Sequence, residues 1–243
     1  GYQSFWGSLT YYMGFTDNQA AGLGYTYKNN GWRLDVDGFK NQALNQSNTY
    51  GGTAGKNYKE YNGGNARLAY TFNLPRGDTL NVNAGVQGGE FQNTYAANKP
   101  NSTRYAGTVA ANAEFKHVGI GTVTLQGQVV QYHYNVPDGN NSALGTGKMV
   151  RFQNYGFNEG GAVPSKGQIY GANIEYGIPI HNFGPLNKIA LYDNYQYLHS
   201  GYGSVNSTQA GQRFHVGNVQ ANQAGIEFVA GPVYAWADYI SGK

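Results

Sequence analysis

Residues Asn65 to Phe91, NARLAYTFNLPRGDTLNVNAGVQGGEF, contain two alternating runs around a short turn. In the first run Ala66, Leu68, Tyr70, Phe72 and Leu74 share one face, and Asn65, Arg67, Ala69, Thr71 and Asn73 share the other. After Pro75-Arg76-Gly77-Asp78 the alternation resumes, with Leu80, Val82, Ala84 and Val86 opposing Thr79, Asn81, Asn83, Gly85 and Gln87. A period of two defines strands, so this stretch is a β-hairpin with one apolar and one polar face. In a soluble sandwich the apolar face enters a core. In an outer-membrane barrel it meets lipid, and the polar face meets a water-filled lumen.

The remainder of the chain decides between these two readings. The 243 residues include 37 Gly, 22 Tyr and 11 Phe, with only 12% charged residues. Mean hydropathy is -0.54, and no run of about 18 apolar residues exists, which excludes a spanning helix. A transmembrane barrel carries such a hydrophilic average because every second strand residue faces the lumen. The absence of Cys removes disulfides, thiolate zinc sites and thiol nucleophiles. The formal charge of +3 comes from scattered residues rather than a basic run, which argues against a nucleic-acid partner.

In chain order, aromatic-rich FWGSLTYYMGF from Phe5 to Phe15 is strand-like. Residues 21–28 alternate and lead through Asn29-Asn30-Gly31, whose Asn-Gly pair suits a tight hairpin, into Trp32-Arg33-Leu34-Asp35-Val36-Asp37. Polar loops are expected over 42–64 and 92–103. Strands are expected over 104–116 and 122–134, around the short turn HVGIG. The longest connection runs from Asn135 to about Lys166. Strands near 167–178 and 188–198 flank IPIHNFGPLN, and a run over 214–229 turns through Ala230-Gly231-Pro232 into Val233 to Ile240. About eleven strands result. Tight turns alternate with mostly long polar connections, as short periplasmic turns alternate with long extracellular loops in outer-membrane barrels. Tyr and Phe near strand ends, such as Tyr25, Tyr27, Phe72, Tyr105, Phe115, Tyr176 and Tyr197, suit interfacial girdles. The expected fold is an all-β, antiparallel transmembrane β-barrel located in the cell outer membrane.

The segments KGQIYGANIEYGIPI, GPLNKIALYDNYQYL and VAGPVYAWADYISGK resemble the last third of the phosphate-selective-porin-like (porin O/P-like) family of Gram-negative outer-membrane porins. YMGFTDNQAAGLGYTYKNNGWRLDVDGFKN is similar to a more N-terminal hairpin of that family. The resemblance implies a homotrimer of sixteen-stranded barrels, each a passive aqueous channel for small hydrophilic, often anionic, solutes. This chain is shorter, has no dense Lys ladder, and places acidic residues among its lumen positions. An even strand number puts both barrel termini in the periplasm. Residues 1–243 are therefore expected to form one barrel domain that is incomplete at one or both ends, with twelve or sixteen strands when complete. Its first and last strands are expected not to pair with each other.

Alternation assigns Arg33, Asp35, Asp37, Arg67, Arg104, Glu114 and Glu175 to the pore lining, where charges of both signs would discriminate solutes. Lys148 and Arg151 lie in the longest connection and are candidates for a loop that narrows the channel. The expected partners are outer-membrane lipid, lipopolysaccharide and small solutes. Neither a cofactor nor a metal is expected, because His117, His133, His181, His199 and His215 lack ligand spacing. The Arg76-Gly77-Asp78 triplet falls on a short turn, away from the side of an adhesive loop. Two alternatives compete with the channel. One is an outer-membrane lipase or protease using His199 with Asp193, Ser200 or Ser204, although Asp193 and His199 stand about 20 Å apart along one strand. The other is a soluble carbohydrate-binding β-protein using Trp6, Trp32 or Trp236.

Overall fold

A computed structural model describes residues 21–43, 58–93, 101–135, 148–153, 160–209 and 212–243. The described residues are all-β, apart from a 3-10 turn at Pro75–Gly77. Its strands are β1 (Ala21–Asn29), β2 (Trp32–Ala43), β3 (Tyr58–Asn73), β4 (Thr79–Asn93), β5 (Asn101–Val118), β6 (Gly121–Tyr134), β7 (Met149–Gln153), β8 (Gly160–Pro164), β9 (Lys166–Phe183), β10 (Leu186–Ser200), β11 (Val205–Gln209), β12 (Gln212–Val216), β13 (Val219–Ala230) and β14 (Val233–Gly242). Ten of them form one antiparallel sheet in the order β1-β2-β3-β4-β5-β6-β9-β10-β13-β14. The other four make two small hairpins, β7–β8 and β11–β12. The expected strand over 5–15 lies outside the described residues.

The turns have local causes. Asn30 and Gly31 both take positive φ, 45° and 84°, and Asn29 pairs directly with Trp32, as a two-residue Asn-Gly hairpin requires. Gly184-Pro185 and Gly231-Pro232 each put a positive-φ glycine first in a two-residue connection, followed by the φ-restricted proline. At Pro75–Gly77 the chain is closed by Leu74 N donating to Asp78 O at 2.9 Å. Tight connections at 30–31, 74–78, 119–120, 184–185 and 231–232 alternate strictly with the long ones along the main sheet. All tight turns therefore lie at one end of the sheet.

Several expected boundaries change. β3 begins at Tyr58, inside the expected polar loop 42–64, because Gly63 and Gly64 pair with Phe39 and Gly38 without showing an apolar alternation. β9 and β10 continue through most of IPIHNFGPLN, leaving only Gly184-Pro185 as the turn. Pro179 is accommodated next to the bulge between Leu186 and Lys188. The expected run 214–229 is broken at Gly217-Asn218 into β12 and β13. Within the connection 135–166, the described residues form the β7–β8 hairpin.

Burial is inverted relative to a soluble sheet. On β10 the polar-side residues Tyr192, Asn194, Gln196 and Ser200 are buried while Leu191 and Tyr195 on the other side are exposed. Val86 and Val109 are 64% and 65% exposed, whereas Gln196 and Gln223 are each 1% exposed. The sheet curls around its polar face and turns its apolar face outward. The sheet is barrel-like but not closed: among the described residues β1 and β14 are its two ends and do not pair with each other.

Candidate functional site, the polar face of the sheet

Strand register carries one row of side chains across many strands, so residues paired directly share a face. Asp35 aligns with Arg67, then Gly85, Thr108, Val130, Ile169 and Leu198. The row of Glu114 continues through Thr124, Glu175 and Tyr192 to Gly225 and Asp238. All seven residues assigned to the pore lining by alternation lie on this polar face. They do not form one group.

Arg33, Asp35 and Arg67 form a clamp on β2 and β3. Arg33 Nε donates to both Asp35 carboxylate oxygens at 2.9 Å, and Arg67 donates to Asp35 Oδ2 through Nη2 at 2.8 Å and Nε at 3.1 Å. Thr26 Oγ1 donates to Asp35 Oδ1 at 2.9 Å. One carboxylate thus holds two guanidinium groups that stay nearly half exposed and keep a net positive charge. The clamp and Asp37 border a cleft of about 650 Å³, with Asn65, Asn83, Gln87 and Gln128 on its other sides. Arg104, only 2% exposed, instead packs under the sheet end, with Nη1 3.4 Å from the Tyr134 hydroxyl and its guanidinium over that ring.

A second cluster occupies β9, β10, β13 and β14. Lys188 Nζ lies 2.5 Å from Glu175 Oε1 and 3.3 Å from Glu227 Oε2. Asp238 accepts from the Tyr192 hydroxyl, and from Gln223 Nε2 at 2.7 Å. Gly225 makes this possible, since a Cβ there would stand 2.7 Å from the Tyr192 oxygen and collide with Asp238. Glu114 stays partly exposed beside Lys116 at 3.7 Å. Lys188, Glu227 and Asp238 were missed by the sequence reading, although each alternates with apolar neighbours such as Ile189, Phe228 and Ala237.

Lys148 is exposed and carries its ammonium 5.9 Å from the Tyr202 ring centre. Arg151 pairs through its backbone with Ala162 in the β7–β8 hairpin. Residues 136–147 and 154–159 of the expected constriction loop lie outside the described residues. Asp193 and His199 face the apolar side while Ser200 faces the polar side, so this possible catalytic grouping is not assembled. Trp32 stands on the apolar face and Trp236 on the polar face, while Trp6 lies outside the described residues. Asp78 is engaged structurally, its Oδ1 accepting from the backbone of Lys116 at 2.7 Å.

The apolar face ends in aromatic groups. Near the tight turns Trp32, Tyr70 and Phe72 pack with ring centres 4.7 and 4.6 Å apart, and Tyr176 donates to Val118 O at 3.0 Å. Toward the other end Tyr105 meets His133, and Tyr170 stacks with Tyr197. Comparison with protein-family models, curated proteins and solved structures finds no match to this chain.

Proposed function

We propose that this chain forms an outer-membrane porin, a water-filled channel through which small hydrophilic solutes diffuse passively. The inverted burial of the sheet carries this reading. Exposed apolar side chains over a long sheet would aggregate in water, but are matched by hydrocarbon. The main-sheet strands β3, β4, β5, β6, β9 and β10 have 14 to 18 residues each, beyond the 9 to 11 that a tilted strand needs to cross a bilayer. The two aromatic zones suit the two membrane interfaces, and the segregation of tight turns suits periplasmic turns opposite extracellular loops. The homotrimer that the resemblance to phosphate-selective-porin-like proteins implies is the proposed assembly.

The clamp and the acidic cluster supply charges of opposite excess on separate strands of the lumen wall. Such a wall discriminates solutes by charge without consuming energy or holding a cofactor. The test is reconstitution. Protein folded into detergent and inserted into planar bilayers is expected to give stepwise, ohmic conductance, and liposomes carrying it are expected to swell in sugars and amino acids. A chain that is monodisperse without detergent and gives no conductance in bilayers would sink the proposal.

A further inference from the structure

We infer that the wall formed by β9, β10, β13 and β14 holds a binding subsite for an organic cation, a solute carrying an ammonium or guanidinium group. It rests on the channel reading, because a solute reaches this face through a water-filled lumen. Two carboxylates, Glu175 and Glu227, pair with one ammonium, Lys188, and a third, Asp238, accepts from the neutral Tyr192 and Gln223, so these four charged groups sum to a formal charge of minus two. Carboxylates alone would not define a site. Beside them, however, runs a row of buried amides: Asn173, Asn194 and Gln223, aligned by register and 4%, 2% and 1% exposed. Asn173 Oδ1, Gln223 Oε1 and both side-chain polar atoms of Asn194 have no hydrogen-bond partner. Buried amides left unpaired each forfeit about 1–3 kcal/mol, so the row is complete only when something donates to it. Three of the four open positions are acceptors, which favours a ligand rich in N–H donors.

A third feature selects the class of cation. Trp236 is the register partner of Glu227 and so stands on the polar face, 44% exposed, with Tyr234 stacked on it at 6.2 Å and 14°. Unlike Tyr132, Tyr134 and Tyr192, which are buried on the same face, these two rings are exposed. An aromatic face beside carboxylates attracts ammonium and guanidinium groups through the ring quadrupole, while a metal ion wants converging oxygen ligands. Among the described residues no three His, Cys, Asp or Glu converge on a metal position. Planar guanidinium fits best, since it can stack on Trp236 while donating in its plane to a neighbouring carboxylate such as Glu227, the register partner of Trp236.

Isothermal calorimetry on the detergent-folded chain tests this with L-arginine, with L-citrulline, which keeps the α-ammonium and replaces the guanidinium by a neutral near-isostere, and with L-glutamate. Arginine is expected to bind at least about tenfold more tightly than citrulline, as loss of one charge-assisted pair would give, and glutamate is expected not to bind. Asp238→Asn and Gln223→Ala are each expected to weaken arginine, and Trp236→Leu to weaken it about three- to thirtyfold. The wild-type comparison of arginine with citrulline needs no variant to fold. Equal binding of the two, tighter binding of glutamate, or arginine affinity unchanged in Asp238→Asn would overturn the subsite. Calorimetry does not depend on conduction. Binding without bilayer conductance would defeat the porin reading and leave the subsite, whereas conductance without discrimination would do the reverse.

Discussion

At the scale of single residues, the two faces of β4 make opposite demands. Val82 points to the apolar side and Asn83 to the polar side, where its amide donates to Asn81 Oδ1 at 3.3 Å. In water an exposed valine tolerates a charge, but in hydrocarbon it does not. Val82→Arg is expected to destabilise the folded protein in lipid by about 2–4 kcal/mol if it lies near the bilayer midplane. Asn83→Gln should change stability little. Urea unfolding followed by tryptophan fluorescence in lipid vesicles measures both, and equal effects at the two sites would contradict a lipid-facing Val82. This alternation was legible in the sequence because branched apolar and polar side chains take turns there. Depth on the polar face was not legible. Arg33 and Arg104 share the polar face, yet one is nearly half exposed and the other is sealed beside Tyr134, a difference set by what packs over each.

At the scale of elements, the β1–β2 hairpin shows how far local chemistry determines structure. Gly31 combines φ of 84° with a tight approach, since a Cβ there would meet Thr71 O at 2.9 Å. Gly31 O in turn accepts from Thr71 N at 2.9 Å, so the turn is tied to β3. Gly31→Val is expected to cost at least about 1–2 kcal/mol from the left-handed backbone alone. Its urea midpoint should fall at an unchanged slope, and an unaltered midpoint would mean that the turn does not hold this conformation. Asn30-Gly31 was readable because that dipeptide has few other uses between alternating runs. The start of β3 was not, because glycine and asparagine pair through their backbones and give no hydrophobic period. The Lys188–Glu175–Glu227 bridge was hidden for a different reason: its members come from three strands whose register no local sequence reveals.

At the scale of the whole molecule, the proposed channel predicts that exposed charge on the polar face sets ion preference while buried charge sets stability, and the three arginines assigned to the pore lining separate these effects. Arg33 and Arg67 reach the open cleft with Asp35 between them and Asp37 beside them, so the charges of that wall balance. Arg104 is shielded from it. The double change Arg33→Gln with Arg67→Gln removes both guanidinium groups and leaves Asp35 and Asp37, so the wall becomes negative. In a potassium chloride gradient its reversal potential is expected to move toward the potassium value, with conductance retained. Because exposed lumen charges are screened, the shift should be largest in dilute salt and fade as the Debye length falls from about 30 Å at 0.01 M to about 3 Å at 1 M. Arg104→Gln is expected to leave the reversal potential in place and to lower stability by about 1–3 kcal/mol, since its buried hydrogen-bonding neighbours lose a donor. A reversal potential that moves with Arg104 and stays fixed in the double variant would put the ion path along β5 rather than along the β2–β3 cleft.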